Sequence, residues 1–125
     1  MRTKILIVDD DDDLRTALHM RLETKGYAVH AVKNAKEAQI YLGGATPDLM
    51  FIDVMMPGMN GIELCLWIRG QAATKNTPFI QMSALGDEVT MQDSMEMGSI
   101  DYITKPIDFS KLFENPLISC LRISC

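Results

Sequence analysis

The sequence predicts an α/β fold, a doubly wound five-stranded parallel sheet with helices on both faces. Strand-like and helix-like segments alternate five times along 125 residues, with short connections between them. Two of the strand-like segments, residues 5–8 and 49–52, are continuously apolar, as strands covered on both faces are. Because 47% of the residues are hydrophobic, the chain can build a substantial core. Its length predicts a single domain over residues 1–125.

The first strand, residues 5–8, leads into a predicted helix. Its apolar residues recur at helical spacing, at Leu14, Ala17, Leu18 and Leu22. We expect Asp11 or Asp12 to cap the N-terminus of this helix, because a carboxylate there accepts hydrogen bonds from free backbone N–H groups. Gly26 is expected to end it.

The next segments predict an edge strand, a capped helix and a buried strand. Residues 28–31 are short and more polar, which is typical of a sheet edge. Asn34 followed by Glu37 is the pattern of a helix cap, and the helix should run to Leu42. The apolar strand over residues 49–52 follows, and like the first it ends at an aspartate.

The second half of the chain repeats the alternation. Asn60 is expected to cap a helix over 61–68, and residues 79–82 predict a strand. A helix with a poor apolar stripe follows over 87–97, and a last strand over 102–104.

The C-terminal segment predicts a broken helix. Phe109, Leu112 and Phe113 begin a helix, but Pro116 cannot continue it, because proline lacks the backbone donor. We expect this helix to stop near Glu114 and a separate short helix to begin with Asn115 as its cap. The predicted core is therefore about 4–114, with an atypical segment over 115–125.

Composition excludes several classes of function. A net charge of −5, without a basic run, argues against a nucleic-acid-binding surface. The apolar run near the N-terminus is too short for a signal peptide or a membrane span. Cys65, Cys120 and Cys125 have no metal-ligand spacing and are expected to be reduced thiols. Together these features predict a cytoplasmic protein without direct nucleic-acid or membrane contact.

Polar residues follow the predicted strands where each one ends. Asp9 and Asp10 follow the first strand, Asp53 the third, Ser83 the fourth and Lys105 the fifth. Ligands of open parallel sheets bind at this edge, where the strand order reverses. Carboxylates ~5 Å apart would repel by roughly 3 kcal/mol per pair at an effective dielectric of ~20. Either one carboxylate takes up a proton or a cation lies among them, and oxygen ligands with room for water suit Mg²⁺.

Four motifs, in order and correctly spaced, carry a family resemblance over residues 4 to about 113. They are "ILIVDDD", "PDLMFIDVMMPGMNGIEL", "FIQMSALGDE" and "GSIDYITKPI". The chain resembles the receiver domain of two-component response regulators. The resemblance implies a flavodoxin-like sheet with strand order 2-1-3-4-5.

The resemblance also implies roles for the acidic residues. Asp53 would be the phosphoacceptor. Asp10 and Asp53 would bind Mg²⁺ directly together with the backbone carbonyl of Met55, and Asp9 would hold the metal through water. A carboxylate is a competent nucleophile for phosphoryl transfer, and Mg²⁺ neutralises the phosphoryl oxygens.

Three further roles follow from the same resemblance. Lys105 would pair with a phosphoryl oxygen, and Ser83 would donate a hydrogen bond to another. Ser83 and Tyr102 would be the switch, with the serine moving toward the phosphoryl group and the tyrosine turning inward. Structural roles fall to Pro57, Gly61 and Pro106, the last after a cis peptide bond.

The expected function is that of a phosphoacceptor in a two-component phosphorelay, not of an enzyme beyond its own phosphorylation and dephosphorylation. The expected partners are a sensor histidine kinase or phosphotransfer protein and an output partner or effector domain, with a phosphorylation-dependent dimer as a further state. The alternative is a receiver-like interaction module that is never phosphorylated. Whether the chain is a stand-alone receiver or part of a longer regulator stays open at this point.

Overall fold

The structure, a computed structural model, describes residues 2–56, 60–84, 91–115 and 118. Strands and helices alternate throughout the described residues. Their bounds are β1 Lys4–Val8, α1 Asp12–Thr24, β2 Ala28–Val32, α2 Ala35–Leu42, β3 Leu49–Asp53, α3 Gly61–Gly70, β4 Phe79–Ala84, α4 Met91–Glu96, β5 Asp101–Lys105 and α5 Phe109–Glu114. The predicted α/β alternation is confirmed.

The five strands form one parallel sheet in the order β2-β1-β3-β4-β5. This is the predicted order, and it places β2 at an edge as its polar composition indicated. In the register of the sheet, Val8 lies opposite Ile52, and Asp53 lies opposite Met82. The carboxyl ends of β1, β3 and β4 therefore lie side by side, and the polar residues that follow them share one edge of the sheet.

Each face of the sheet carries its own apolar core, because successive strand residues point to opposite faces. On one face, alternate residues of β1 and β3 pack with α2 and α3; the central residues are Leu6, Val8, Met50, Ile52, Ala38, Leu64 and Ile68. On the other face, the intervening strand residues pack with α1 and α5. This second core includes Ile5, Ile7 and Phe51 of the strands and Leu18, Leu22 and Leu112 of the helices. Covering both faces explains why β1 and β3 are continuously apolar.

The predicted caps are present at the first three helices. The Asp11 side chain accepts hydrogen bonds from the N–H groups of Asp13 and Leu14, at 3.0 and 3.2 Å. Asn34 caps α2 and Asn60 caps α3 in the same way. These side chains satisfy backbone donors that have no partner within the helix, and so fix where each helix begins.

Some boundaries differ from the sequence-based expectation. β4 continues beyond the predicted residues 79–82, because Ser83 and Ala84 still pair with β5. α4 begins at Met91, and the expected start at residue 87 falls outside the described residues. Across the described part of the chain, we find no helix with the length and apolar character needed to cross a bilayer.

The last helix ends where the sequence predicted. α5 stops at Glu114, and Asn115 has extended backbone angles of φ −62° and ψ 122°, as expected for a residue that precedes proline. Most of the predicted second short helix lies outside the described residues. Ile118 is described, and it is buried in the core between the sheet, α1 and α5. Ile118, after the break, therefore packs in the core of the domain.

Candidate functional site

Three carboxylates meet at the carboxyl ends of β1 and β3. One oxygen from each of Asp9, Asp10 and Asp53 lies within 4.8 Å of the others. Asp9 and Asp53 are buried, with exposed fractions of 0% and 3%, whereas Asp10 faces solvent. β1 and β3 are neighbours only because the strand order reverses there, so the fold brings together residues more than forty positions apart. We call this group the acidic pocket.

Lys105 supplies the positive charge of the acidic pocket. Its Nζ lies 3.0 Å from Oδ2 of Asp9 and 3.1 Å from Oδ2 of Asp53. Burial by itself lowers the pKa of Lys105, but the hydrogen bonds and charges of the two aspartates outweigh burial and raise it. The ammonium is therefore held in its charged form between two buried carboxylates.

One lysine does not fully compensate the acidic pocket. Burial and the nearby charge of Asp9 raise the pKa of Asp53 to about 7, against the opposing effects of Lys105 and of a hydrogen bond from the Met55 N–H, 3.2 Å away. In the metal-free protein, Asp53 is thus partly protonated near neutral pH. A further cation at this position would restore its charge.

The donor set of the acidic pocket fits a hard divalent cation. All three side chains offer carboxylate oxygens, and the exposed position of Asp10 leaves room for water. Mg²⁺ prefers one or two carboxylates with several retained waters, whereas histidine or thiolate ligands would favour zinc. The surplus of buried negative charge agrees with the same conclusion.

The turn after β1 is held by hydrogen bonds that the sequence did not indicate. The N–H of Asp11 donates to Oδ1 of Asp9 at 2.8 Å, and Nη1 of Arg15 donates to the Asp9 backbone carbonyl at 2.8 Å. Arg15 also forms an ion pair with Asp12. Sequence reasoning passed over Arg15, since a single cation in the first turns of a helix is an ordinary surface residue.

Gly61 lies directly against the backbone of Asp53. A Cβ atom at this position would stand 1.9 Å from the Asp53 carbonyl oxygen and 2.7 Å from the Cα of Val54. The Gly61 N–H donates to the Val54 carbonyl at 3.1 Å. Only glycine lets the start of α3 approach the end of β3 this closely.

The remaining predicted site residues are placed as follows. Ser83 is fully buried at the end of β4, and its Oγ lies 3.3 Å from the Ala84 carbonyl oxygen. Tyr102 is half-buried on β5, opposite Gln81 of β4, and is not part of the acidic pocket. The Lys105–Pro106 peptide bond is cis. Pro57 lies outside the described residues.

A buried glutamine marks a second polar contact that the sequence analysis missed. Nε2 of Gln81 lies 3.3 Å from the Cys65 Sγ and 3.8 Å from the Met97 Sδ, and so connects β4 with α3 and the end of α4. Burial raises the pKa of the Cys65 thiol to about 11, so it stays protonated. A glutamine inside the apolar segment 79–82 was the available signal. Cys120 and Cys125 lie outside the described residues.

Comparison with known proteins agrees with this architecture. The sequence profile named "Response regulator receiver domain" matches residues 5–115. The chain belongs to this family. The acidic pocket of this receiver domain therefore lies on a fold used in two-component signalling, as the motifs predicted.

Two relatives illustrate the sequence similarity of the receiver domain. It is 36% identical over 112 residues to the phosphate regulon transcriptional regulatory protein PhoB of Rhizobium meliloti, covering 90% of this chain and 49% of that protein. It is 43% identical over 104 residues to the transcriptional regulatory protein ResD of Bacillus subtilis, covering 83% of this chain and 42% of that protein. The chain thus spans less than half the length of these relatives.

Solved structures resemble the receiver domain over most of its length. A response regulator from Chloroflexus aurantiacus superposes with a TM-score of 0.84 at 32% identity, covering 91% of this chain and 93% of the other. The signal receiver domain of a signal transduction histidine kinase from Syntrophus aciditrophicus gives 0.83 at 36% identity, covering 95% and 89%. Receiver domains therefore occur both in regulators and within kinases.

Proposed function

We propose that this receiver domain accepts a phosphoryl group on Asp53 from a phosphohistidine, and that the product switches the surface seen by an output partner. The observation that carries the proposal is the acidic pocket itself. A buried carboxylate at the end of β3 lies 3.1 Å from the Lys105 ammonium and beside two further carboxylates. Burying carboxylates that repel one another destabilises a protein, and a protein that only bound partners through its surface would not need them.

In the transfer, an oxygen of Asp53 forms a bond to phosphorus as the phosphorus–nitrogen bond to the donor imidazole breaks. The products are an aspartyl phosphate and a free histidine side chain, so no oxidant or further reactant is needed. Such reactions need little beyond positioning and charge neutralisation. The burial of Asp53 on a central strand supplies the positioning.

Mg²⁺, when bound, and Lys105 would share the neutralisation of charge. We assign Asp10, Asp53 and the Met55 carbonyl as direct ligands, and Asp9 as a ligand through water, as the family resemblance implies. When bound, the metal would neutralise charge on the phosphoryl oxygens. Lys105 would turn from the carboxylate of Asp53 to an oxygen of the phosphoryl group, since its four-carbon stem lets the ammonium move.

The switch that we propose begins at Ser83. In the present structure its hydroxyl lies against the Ala84 carbonyl, at 3.3 Å, on a strand next to that of Asp53. A phosphoryl group on Asp53 would offer a charged acceptor and draw the Ser83 hydroxyl away. Tyr102, on the adjoining strand, would follow, and the surface of α4, β5 and α5 would present the new state.

The partners that fit this chemistry are a sensor histidine kinase or phosphotransfer protein upstream and an effector domain or separate output protein downstream. PhoB and ResD are named as transcriptional regulators, and this chain spans less than half of each. We propose a cytoplasmic receiver that signals to an effector domain or to a separate output protein. A phosphorylation-dependent dimer of the domain is a further proposed state.

Phosphorylation can be tested with acetyl phosphate, a small phosphoryl donor, in the presence of Mg²⁺. We expect intact-mass measurement to show one added phosphoryl group on the wild-type protein. The matched control is Asp53→Asn, which keeps the side-chain shape and removes the nucleophile. A wild-type protein that gains no mass, or an Asp53→Asn variant that still gains it, would contradict the proposal and favour the unphosphorylated interaction module.

A further inference from the structure

We infer that Arg15 is a positioning residue for the metal site, acting through the backbone of Asp9; this inference rests on the proposed function. Arg15 lies in the first turns of α1, with only 18% of its side chain exposed. Its Nη1 donates to the Asp9 carbonyl at 2.8 Å, and its Nη2 contacts Asp12. Arg15 therefore joins α1 to the turn that carries the acidic pocket.

The contact with the Asp9 carbonyl sets the orientation of the following residue. That carbonyl and the N–H of Asp10 belong to one planar peptide unit, so a hydrogen bond to one end of the unit restrains the other. Two more bonds hold Asp9 itself: its N–H donates to the Val32 carbonyl at 3.2 Å, and its Oδ1 accepts from the Asp11 N–H. The hydrogen bond from Arg15 adds a third restraint on Asp9, at its backbone carbonyl.

Asp10 needs this restraint more than the other two carboxylates do. Lys105 holds the carboxylates of Asp9 and Asp53, which are also buried. Asp10 is exposed, and within the part of the chain that the structure describes no side chain donates a hydrogen bond to its carboxylate. Its direction therefore depends on the peptide unit that Arg15 holds.

The charge of Arg15 and its hydrogen bond act in opposite directions on a bound cation. A guanidinium near the acidic pocket repels Mg²⁺, so removing its charge should tighten metal binding if electrostatics alone mattered. Losing the hydrogen bond to Asp9 should instead weaken binding, because Asp10 loses its fixed direction. The sign of the change thus separates the two roles.

The test is calorimetric titration of MgCl₂ into the wild-type protein and into Arg15→Gln, at a temperature where both are folded. We expect Arg15→Gln to weaken Mg²⁺ binding about tenfold, the lower end of the range for groups that orient metal ligands. The control is Asp12→Asn, which removes the ion-pair charge of a side chain that is 82% exposed. We expect it to change the affinity less than about twofold.

Urea unfolding without metal supplies a readout that separates positioning from a purely structural role. An Arg15→Gln variant that is less stable yet binds Mg²⁺ as tightly as wild type, or more tightly, would overturn the inference. If that variant does not fold, Arg15→Met replaces it, because methionine keeps the apolar stem and removes the donor to the Asp9 carbonyl, and unchanged or tighter binding would again overturn the inference. A wild-type protein that binds no Mg²⁺ would overturn the proposed metal site as well.

Discussion

Asp53 lies between a like charge and an opposite one. Burial and, after it, the nearby charge of Asp9 raise its pKa, while Lys105 and the Met55 N–H lower it. The balance leaves the pKa of Asp53 at about 7, so its protonation changes within the ordinary working range of a protein. Two measurable consequences follow, one for stability and one for metal binding.

Stability without metal should depend on pH through Asp53. Since its pKa is higher in the folded protein than in the unfolded chain, protonation favours folding, and this stabilisation is lost as pH rises through about 7. Between pH 5 and pH 8 we expect the wild type to lose unfolding free energy relative to Asp53→Asn, because the raised pKa of Asp53 makes the folded protein hold its proton longer than the unfolded chain does. Urea unfolding of both proteins across this range measures it, and parallel curves would contradict the prediction.

A close backbone contact requires glycine at position 61. We expect Gly61→Ala to lower the free energy of unfolding by about 3 kcal/mol or more, because the new Cβ would overlap the Asp53 carbonyl oxygen. The matched control is Gly70→Ala at the other end of α3, where a Cβ meets nothing within 4 Å. Thermal or urea unfolding should show the control within about 1 kcal/mol of wild type, and equal losses would refute the steric explanation.

At the scale of elements, the Arg69 side chain connects α3 with Gly98, after the end of α4, and with β4. Arg69, at the end of α3, donates to the carbonyls of Thr77 and Gly98 at 2.7 and 3.1 Å. Its guanidinium also lies 4.2 Å from the centre of the Phe79 ring. The end of α4 is therefore anchored to α3 and β4, close to the contact of Gln81 with Met97. This junction adjoins the surface that we propose as the output face.

Replacing Arg69 tests the importance of that junction. Arg69→Lys keeps the charge but cannot reach both carbonyls in the fixed geometry of a guanidinium, so we expect a loss of about 1–3 kcal/mol in unfolding free energy. Arg21→Lys is the control, because Arg21 also lies over an aromatic ring, Phe109, but is exposed. Its change should stay within about 0.5 kcal/mol. A similar small change at Arg69 would show that the anchor contributes little.

The break after α5 returns the chain to the core. Ile118 is 2% exposed, its N–H donates to the Asn115 carbonyl, and its own carbonyl accepts a hydrogen bond from the Tyr27 hydroxyl at 3.1 Å. Asn115 is tied in turn to Asp101 at the start of β5, at 2.6 Å. Ile118 thus packs in the core on the face that α1 and α5 cover.

Removing the buried side chain after the break should therefore destabilise the domain. We expect Ile118→Ala to lower the unfolding free energy by about 2–4 kcal/mol, the usual effect of deleting a buried isoleucine. Ile40→Ala is the same substitution at a residue that is 70% exposed, and it should change stability by less than about 0.5 kcal/mol. Chemical denaturation compares the two; equal, small effects would mean that the segment is not packed on the domain in solution.

At the scale of the whole molecule, the acidic pocket would couple the binding of a cation to folding. A cation that binds only the folded protein stabilises it, and the three carboxylates are assembled only by the folded sheet. Of the two buried members of the pocket, Asp9 follows β1 and Asp53 ends β3, so neither can form the pocket locally. The three carboxylates therefore come together only when the chain is folded.

Mg²⁺ should raise the unfolding temperature more at pH 8 than at pH 5.5. At the lower pH, Asp53 is protonated in the metal-free protein, and a proton must leave before the carboxylate can bind a cation. Thermal scans with and without Mg²⁺ at the two pH values measure this difference. Asp53→Asn should reduce the stabilisation at pH 8, and equal stabilisation at both pH values in the wild type would contradict a role for Asp53 as a ligand.

The family resemblance and the alternation of elements were enough to predict the sheet order, the first three helix caps and the carboxylates that meet at one edge. The sheet order was implied by the family resemblance, whereas the caps and the aspartates at the strand ends depend on local patterns, such as apolar periodicity and cap residues. The end of α5 was also predictable, since Pro116 acts on its immediate neighbours. The exact ends of β4 and β5 were not, because pairing between strands extends both.

The sequence by itself therefore determined which elements form and which polar residues lie at the functional edge. Only the tertiary structure decided that Lys105 reaches two carboxylates at once, that Arg15 holds the Asp9 carbonyl, and that Gly61 touches the strand of Asp53. The physical reason is distance. Local conformation follows from neighbouring residues, whereas the charge balance of the acidic pocket follows from ångström-scale separations between atoms on different strands and helices.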